Sequence, residues 1–256
     1  CSVCLLRIEA ANRRFTSGDI SGALTAYNLL PRIHLEELRE LRPQMLYTFH
    51  NNRGAVQMQL EKFGDALADF DDAVALRPDS SDAHHNCGVA LKALKRYDLA
   101  LEEFGICLQY DPTSYSALCG KSEVLASMNR FDKAIEVASQ AIEVNDNPES
   151  YRAYLSRGFA RLKSGIYGGA VRDLEAAEGR GCSSKEFFTM YELALALYGD
   201  ELNSMGDYDR AIPLYERALG LGSSELPSVD LLFNLSLAKL RSGDDSEDPA
   251  NGFRQV

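Results

Sequence analysis

Small, aromatic and aliphatic positions recur along this chain on one ruler. The stretch NNRGAVQMQLEKFGDALADFDDAVALRP (Asn51 to Pro78) is written again as HNCGVALKALKRYDLALEEFGICLQYDP (His85 to Pro112). At a shift of 34 residues Gly54 falls on Gly88, Phe63 on Tyr97, Ala66 on Ala100, Phe70 on Phe104 and Pro78 on Pro112. A period of this length with fixed small, aromatic and proline offsets marks an internal repeat. We count Tyr47 and Ser81 as place 1 of these two units. From Tyr115, Phe131, Ala134 and Ala141 take places 17, 20 and 27, with Ser122 at 8 and Ala138 at 24. From Tyr151, Gly158, Tyr167, Ala170 and Ala177 fit, and from Glu192, Gly199, Tyr208, Ala211, Tyr215 and Ala218. Upstream, a frame from Cys4 sets Ala11, Ile20, Ala23 and Tyr27 on the same ruler. A last frame predicts one helix, Ser228 to Leu240, stopped by Gly243.

These residues resemble the tetratricopeptide repeat (TPR), an antiparallel helix pair with a small residue at place 8, aromatics at 17 and 24, Ala at 20, a small residue at 27 and Pro at 32. The resemblance implies an all-α, right-handed α-solenoid of about six helix pairs plus a closing helix. Glycine inside a helix costs about 1 kcal/mol against alanine. Gly54, Gly88, Gly158 and Gly199 therefore need a packing reason, and close approach of the paired helix at Ala66, Ala100, Ala170 and Ala211 is the expected one. Pro78 and Pro112 suit the turn after each second helix, because proline cannot continue one.

The layout that follows is a divergent first pair with an extended second helix over 1–46, three well-matched units over 47–150, and two units with longer loops over 151–228. A closing helix over 229–242 and an acidic, flexible tail over 243–256 complete it. Where the ruler slips, something has grown. The excess before Tyr47 contains HLEELRELRP (His34 to Pro43), expected to lengthen the second helix or add a turn. A smaller slip falls around Asn145 to Pro148, and seven extra residues around Gly179 to Lys185.

Composition sets the setting. The 256 residues are 45% hydrophobic and 25% charged, as in an ordinary globular chain. Their formal charge of −11 argues against nucleic acid, whose affinity comes from Lys and Arg on phosphates. No run approaches the 18 or so apolar residues of a membrane-spanning helix, so no membrane insertion is expected. Six dispersed cysteines do not form the dense framework of a small secreted domain, which points to an intracellular, cytoplasmic chain. The chain begins with Cys1 rather than Met, which leaves open a processed protein in an organelle lumen, or a piece of a longer one.

No phosphate-binding glycine loop, nucleophile elbow or paired metal motif appears, so no enzyme, cofactor or metal is expected. Cys1 and Cys4 would make half of a zinc or redox site whose other half is missing. Cys87 and Cys107 read as small core residues. His85 and Cys119 share place 5 of successive units, as a conceivable metal pair or a groove wall. His50 and His84, at place 4, read as spacers between helices.

Places 2, 5, 6, 9, 12 and 13 lie on one side of a helix with 3.6 residues per turn. In the resembled family that side lines the groove in which peptides or helices lie. Here it holds Asn51, Asn52, Met58, Asp82, His85, Asn86, Lys92, Glu123, Arg152, Phe159, Lys163, Asp200, Asn203 and Asn234. The contacts expected to bind a partner are Asn51, Asn52, His85, Asn86, Lys92, Glu123, Arg152 and Phe159. Asn52, Asn86 and Asn234 share place 6, where asparagine either grips a peptide backbone or bonds helix to helix; Gly120, Ser156 and Leu197 break the series. The carboxylate clamp of chaperone-tail receptors needs three cations where Ile8, Asp82 and Asn86 stand, so a role as such a receptor is rejected. The function implied is a non-enzymatic adaptor or scaffold in the assembly of a multiprotein complex. Two alternatives stand beside it: an architectural subunit of a large assembly, and the regulatory part of an enzyme whose catalytic domain lies outside this chain.

Overall fold

A computed structural model describes residues 2–30, 32–145, 150–222 and 229–243. Among them are fourteen α-helices and no strand. The chain is all-α and divides into two compact units, with the boundary between Met128 and Asn129. Cys1, Pro148, Ser228 and the segment after Gly243, on which several expectations fell, lie outside the described residues.

The first unit holds α1 (Ser2–Thr16), α2 (Ile20–Asn28), α3 (Arg32–Leu41), α4 (Pro43–Gln59), α5 (Phe63–Leu76), α6 (Ser81–Ala93), α7 (Tyr97–Tyr110) and α8 (Tyr115–Ser127). The second holds α9 (Phe131–Val144), α10 (Tyr151–Lys163), α11 (Tyr167–Glu178), α12 (Lys185–Ser204), α13 (Tyr208–Leu221) and α14 (Val229–Ser242). In all six frames the residue at place 17 opens the second helix: Ile20, Phe63, Tyr97, Phe131, Tyr167 and Tyr208. Place 15 is left-handed in every frame, at Gly18, Glu61, Lys95, Asn129, Gly165 and Gly206. Such a residue closes a helix by turning two amides back onto its last carbonyls. In α6 these are Lys95 N–H to Lys92 O and Arg96 N–H to Leu91 O, both 2.9 Å. Within each unit, the short turn is what folds a second helix back on its first, as in α1–α2, α4–α5, α6–α7, α10–α11 and α12–α13.

Alanines 23, 66, 100, 134, 170 and 211 are fully buried, but they are not what presses on the glycines. A β-carbon on Gly54 would meet the Phe70 ring at 2.5 Å, one on Gly88 the Phe104 ring at 2.7 Å, and one on Gly199 the Tyr215 ring at 2.6 Å. On Gly158 it would meet Leu174 at 3.1 Å. The residue at place 24, not the alanine at place 20, is thus the partner of each glycine. Gly120 also lies on the Phe104 ring, which accounts for a glycine where the asparagine series breaks.

Two insertions differ from expectation. Residues 32–41 form α3 as a helix of their own, not an extension of α2, whose C-cap is Leu29. Proline at position 31 supplies no N–H to continue the earlier helix. The seven extra residues near Gly179 mostly lengthen a helix: α12 starts at Lys185, seven residues before its place 1, with Ser184 accepting from the Phe187 amide as N-cap. Phe187 and Tyr191 on those added turns are buried in the core of the second unit.

Candidate functional site

Of the eight residues expected to meet a partner, six stand on α4, α6 and α8 in the first unit and two on α10 in the second. The structure joins several of the first six to each other or to neighbours. Asn52 Nδ2 donates to Asn12 Oδ1 at 3.0 Å, and Asn86 Nδ2 to Asn51 Oδ1 at 3.3 Å. Lys92 forms an ion pair with Glu123. His85 tilts against Phe104, with ring centroids 5.8 Å apart. The place 6 asparagines therefore tie neighbouring first helices together. Ile8, at a cation position of the clamp pattern, is buried in the core.

On the second unit the same face changes character. Asn234 Nδ2 donates to Asp200 Oδ1 at 2.8 Å, the same place 6 to place 9 link as Asn52 to Asn12. On α10 and α12 the equivalent places hold Phe159 and Leu197, both half-buried. Lys163 Nζ stands 5.7 Å from the Phe159 ring centroid, and Arg152 is exposed. Leu193, Phe233 and Leu240, at places 2, 5 and 12, are 48%, 52% and 58% exposed. Fully burying such a side chain is worth roughly 1.5–3 kcal/mol, and an arriving apolar surface would recover about half of that from each of these half-exposed ones.

Beneath the faces lies a charged layer that the sequence reading passed over. Asp69 is 2% exposed, and Arg53 donates to both of its oxygens, Nε to Oδ2 at 2.7 Å and Nη2 to Oδ1 at 2.6 Å. Arg157 holds Asp173 in the same fork at 3.0 and 2.7 Å, helped by Arg161 at 2.7 Å. Both pairs occupy places 7 and 23. That recurrence was the available signal, but single charges on helices normally face water. His50 and His84 are more than spacers: buried, they bond through Nδ1 to Asp69 at 2.8 Å and to Glu103 at 2.7 Å.

His50, Asp69 and Asp72 bring ligand atoms within 4.8 Å of one another, the one such triad among the described residues. The Arg53 fork already occupies both oxygens of Asp69, so the donor set serves an ion-pair network and does not fit a cation. Burial alone would raise the Asp69 pKa; hydrogen bonds from His50 and Arg53 and their charge outweigh it and hold the carboxyl below its usual value. The described cysteines are buried: Cys4, Cys87, Cys107, Cys119 and Cys182. No described helix is long and apolar enough to cross a membrane.

Comparison with known proteins agrees with this architecture. The family described as "Tetratricopeptide repeat" matches residues 52–105, 120–184 and 191–249. No curated protein sequence matches the chain. Among solved structures, a tetratricopeptide repeat protein from Parabacteroides merdae ATCC 43184 is similar with a TM-score of 0.58 and 16% identity, over 91% of this chain and 97% of that one. YrrB, described as a TPR protein with an unusual peptide-binding site, gives 0.57 and 16%, over 80% and 96%. MamA gives 0.55 and 24%, over 66% and 93%. At these identities the likeness concerns the fold alone. Repeats of this kind serve in general as protein-interaction scaffolds, typically in non-enzymatic adaptors. With the family's pattern matched over most of its length, this chain belongs to the tetratricopeptide repeat family.

Proposed function

We propose that this chain is an adaptor that binds a peptide, a helix or a subunit of another protein on the inner face of its first helices, in the assembly of a multiprotein complex. One observation carries the reading: on α12 and α14 the inner-face places hold Leu193, Phe233 and Leu240, large apolar side chains that the unit leaves about half exposed. Exposed apolar side chains at the places that line the family's groove are what an apolar partner would cover. Phe159 and Arg152 stand at inner-face places of α10, offering an aromatic side chain with Lys163 beside it and, two turns away, an exposed cation. Binding would combine apolar anchors with hydrogen bonds to the partner's main chain.

The test is a photo-crosslinking amino acid installed in living cells at position 193 or 233. A third position, 140, serves as reference, because Gln140 is exposed on the second helix α9. Discrete protein adducts from 193 and 233, absent from 140, are the expected result. Adducts from 140 alone would favour the architectural reading, in which the outer surface is the interface. Absence of adducts at all three positions would count against both.

A further inference from the structure

His84, in the first turn of α6, serves two acceptors at once. It is 5% exposed, so protein groups and not bulk water must satisfy its ring. Nε2 lies 2.9 Å from the Pro78 carbonyl oxygen, which can only accept, so Nε2 carries hydrogen. Nδ1 lies 2.7 Å from Glu103 Oε2, and a carboxylate likewise only accepts. A neutral imidazole has one N–H, and this arrangement needs two. A protonated Glu103 donating to a neutral ring would satisfy the distances as well. Its side chain is 25% exposed, however, and histidine is ordinarily the stronger base, so the bond pattern assigns the proton to the ring. His50, at the same place of α4, meets its described acids through Nδ1, 2.8 Å from Asp69 and 3.6 Å from Asp72. One N–H is enough there, so the second proton belongs to the α6–α7 hairpin and not to the repeat.

The elements packed on α6 favour a proton at this point. From α7 come Glu103 and Tyr110, whose ring stacks on His84 with centroids 6.1 Å apart and planes 20° apart. From α5 comes Asp71, which accepts from Cys87 Sγ at 3.7 Å and feels the charges of Glu103 and Asp72. Arg77, after α5, is engaged on the Tyr47 ring of α4. On α8 stand Lys121 and Glu123, the second paired with Lys92. Asp82 lies exposed on α6 itself. Among the described residues, His84 is the one cationic partner of Glu103.

We propose that His84 and Glu103 form a proton-operated clasp. With the proton bound, the first turn of α6 is fastened both to α7 and to the turn at Pro78. When the proton leaves, Nε2–H stays on Pro78, the Nδ1 lone pair faces the carboxylate, and Glu103 turns to solvent. The fastening is present on the acid side of the ring's titration and is lost as pH rises through it. Histidine is the side chain that ordinarily changes charge between about pH 5 and 8, which makes such a device responsive near neutral pH. The clasp is independent of the exposed face on α12 and α14.

One titration of the full chain follows both the proton and the clasp. Nitrogen-15 NMR of the imidazoles reads each His84 nitrogen, with His84→Phe identifying its signals, while amide hydrogen exchange reads protection in α6 and α7. At about pH 6 both nitrogens should carry hydrogen, and with rising pH Nδ1 should be the one to lose it. Protection at the start of α6 and around Glu103 should then fall about tenfold or more, as for one lost charged hydrogen bond. Glu103→Gln offers an amide N–H to the neutral ring's Nδ1, so protection in that variant should stay constant over the same range. The proposal is overturned if His84 holds a single proton at about pH 6, or if Nε2 is the nitrogen that loses hydrogen. It is equally overturned if protection ignores the titration, or if Glu103→Gln shows the same loss. The wild-type titration decides alone should the variant melt early.

Discussion

A β-carbon on Gly88 would stand 2.7 Å from Cε1 of Phe104, closer than real side chains approach. The same ring meets Gly120, where a β-carbon would lie 2.5 Å from Cζ. Overpacking of this kind costs typically 1–3 kcal/mol, so Gly88→Ala and Gly120→Ala should each lower the urea midpoint accordingly. Gly105, within α7, has nothing within 4 Å of its missing β-carbon. Gly105→Ala should raise stability by about 0.5–1 kcal/mol. Opposite signs in one unfolding assay are the expected outcome, and a common sign would refute the packing account.

Acid should loosen the first unit through Asp69. Its carboxyl sits below the usual range in the folded chain, so its contribution is present above the unfolded pKa and is lost as pH falls through the lower folded value. The melting temperature should therefore drop on acidification below about pH 4. Asp69→Asn should flatten that part of the profile. It should also cost about 3 kcal/mol at neutral pH, because Arg53 loses its buried counter-charge. An unchanged acid limb in the variant would exclude Asp69 as the group responsible.

Three of the six left-handed turn residues are not glycine: Glu61, Lys95 and Asn129. A side chain in that conformation costs roughly 1–2 kcal/mol, partly offset by the entropy a glycine loses on folding. Lys95→Gly should thus stabilise by about 0.5–1 kcal/mol and Gly206→Ala destabilise by about 1 kcal/mol, read by thermal melts of the paired variants. Asn129→Gly should gain least, since asparagine tolerates the region best.

Burial pushes the Cys87 thiol up, with the charges of Glu103 and Asp71 adding to it, and burial likewise raises Cys107 and Cys182. The thiolate is the reactive form. Iodoacetamide at pH 8 should accordingly leave Cys87, Cys107 and Cys182 unlabelled in the native chain and label them in urea, as peptide mass spectrometry can locate. Rapid native labelling of Cys87 would contradict the packing of α5 against α6.

The helical hairpins were legible because their signal is steric and periodic. Place 17 opened every second helix, and the buried alanines stood where the period set them. What clasped the glycines was misassigned, because Ala66 and Phe70 both recur on the same period and spacing cannot rank them. The α3 helix and the added turns of α12 were hidden by falling outside the ruler. The Arg53–Asp69 and Arg157–Asp173 forks were hidden by falling inside it, where a charge on a helix resembles a solvated one until burial is known. The half-exposed Leu193 and Phe233 went unnamed because an apolar residue in a packed repeat reads first as core.

The acids at place 23 have a consequence for modularity. Hairpins α4–α5 and α6–α7 follow one ruler, yet Asp69 faces Arg53 and His50, whereas Glu103 bonds to His84 in a hairpin whose place 7 is Cys87. Transplanting α5 onto α6 would set an aspartate beside His84 and a thiol, without the guanidinium fork that Arg53 supplies to Asp69. These cassettes are therefore not interchangeable, and a shuffled array would fail at its seams although every residue on the repeat ruler were kept.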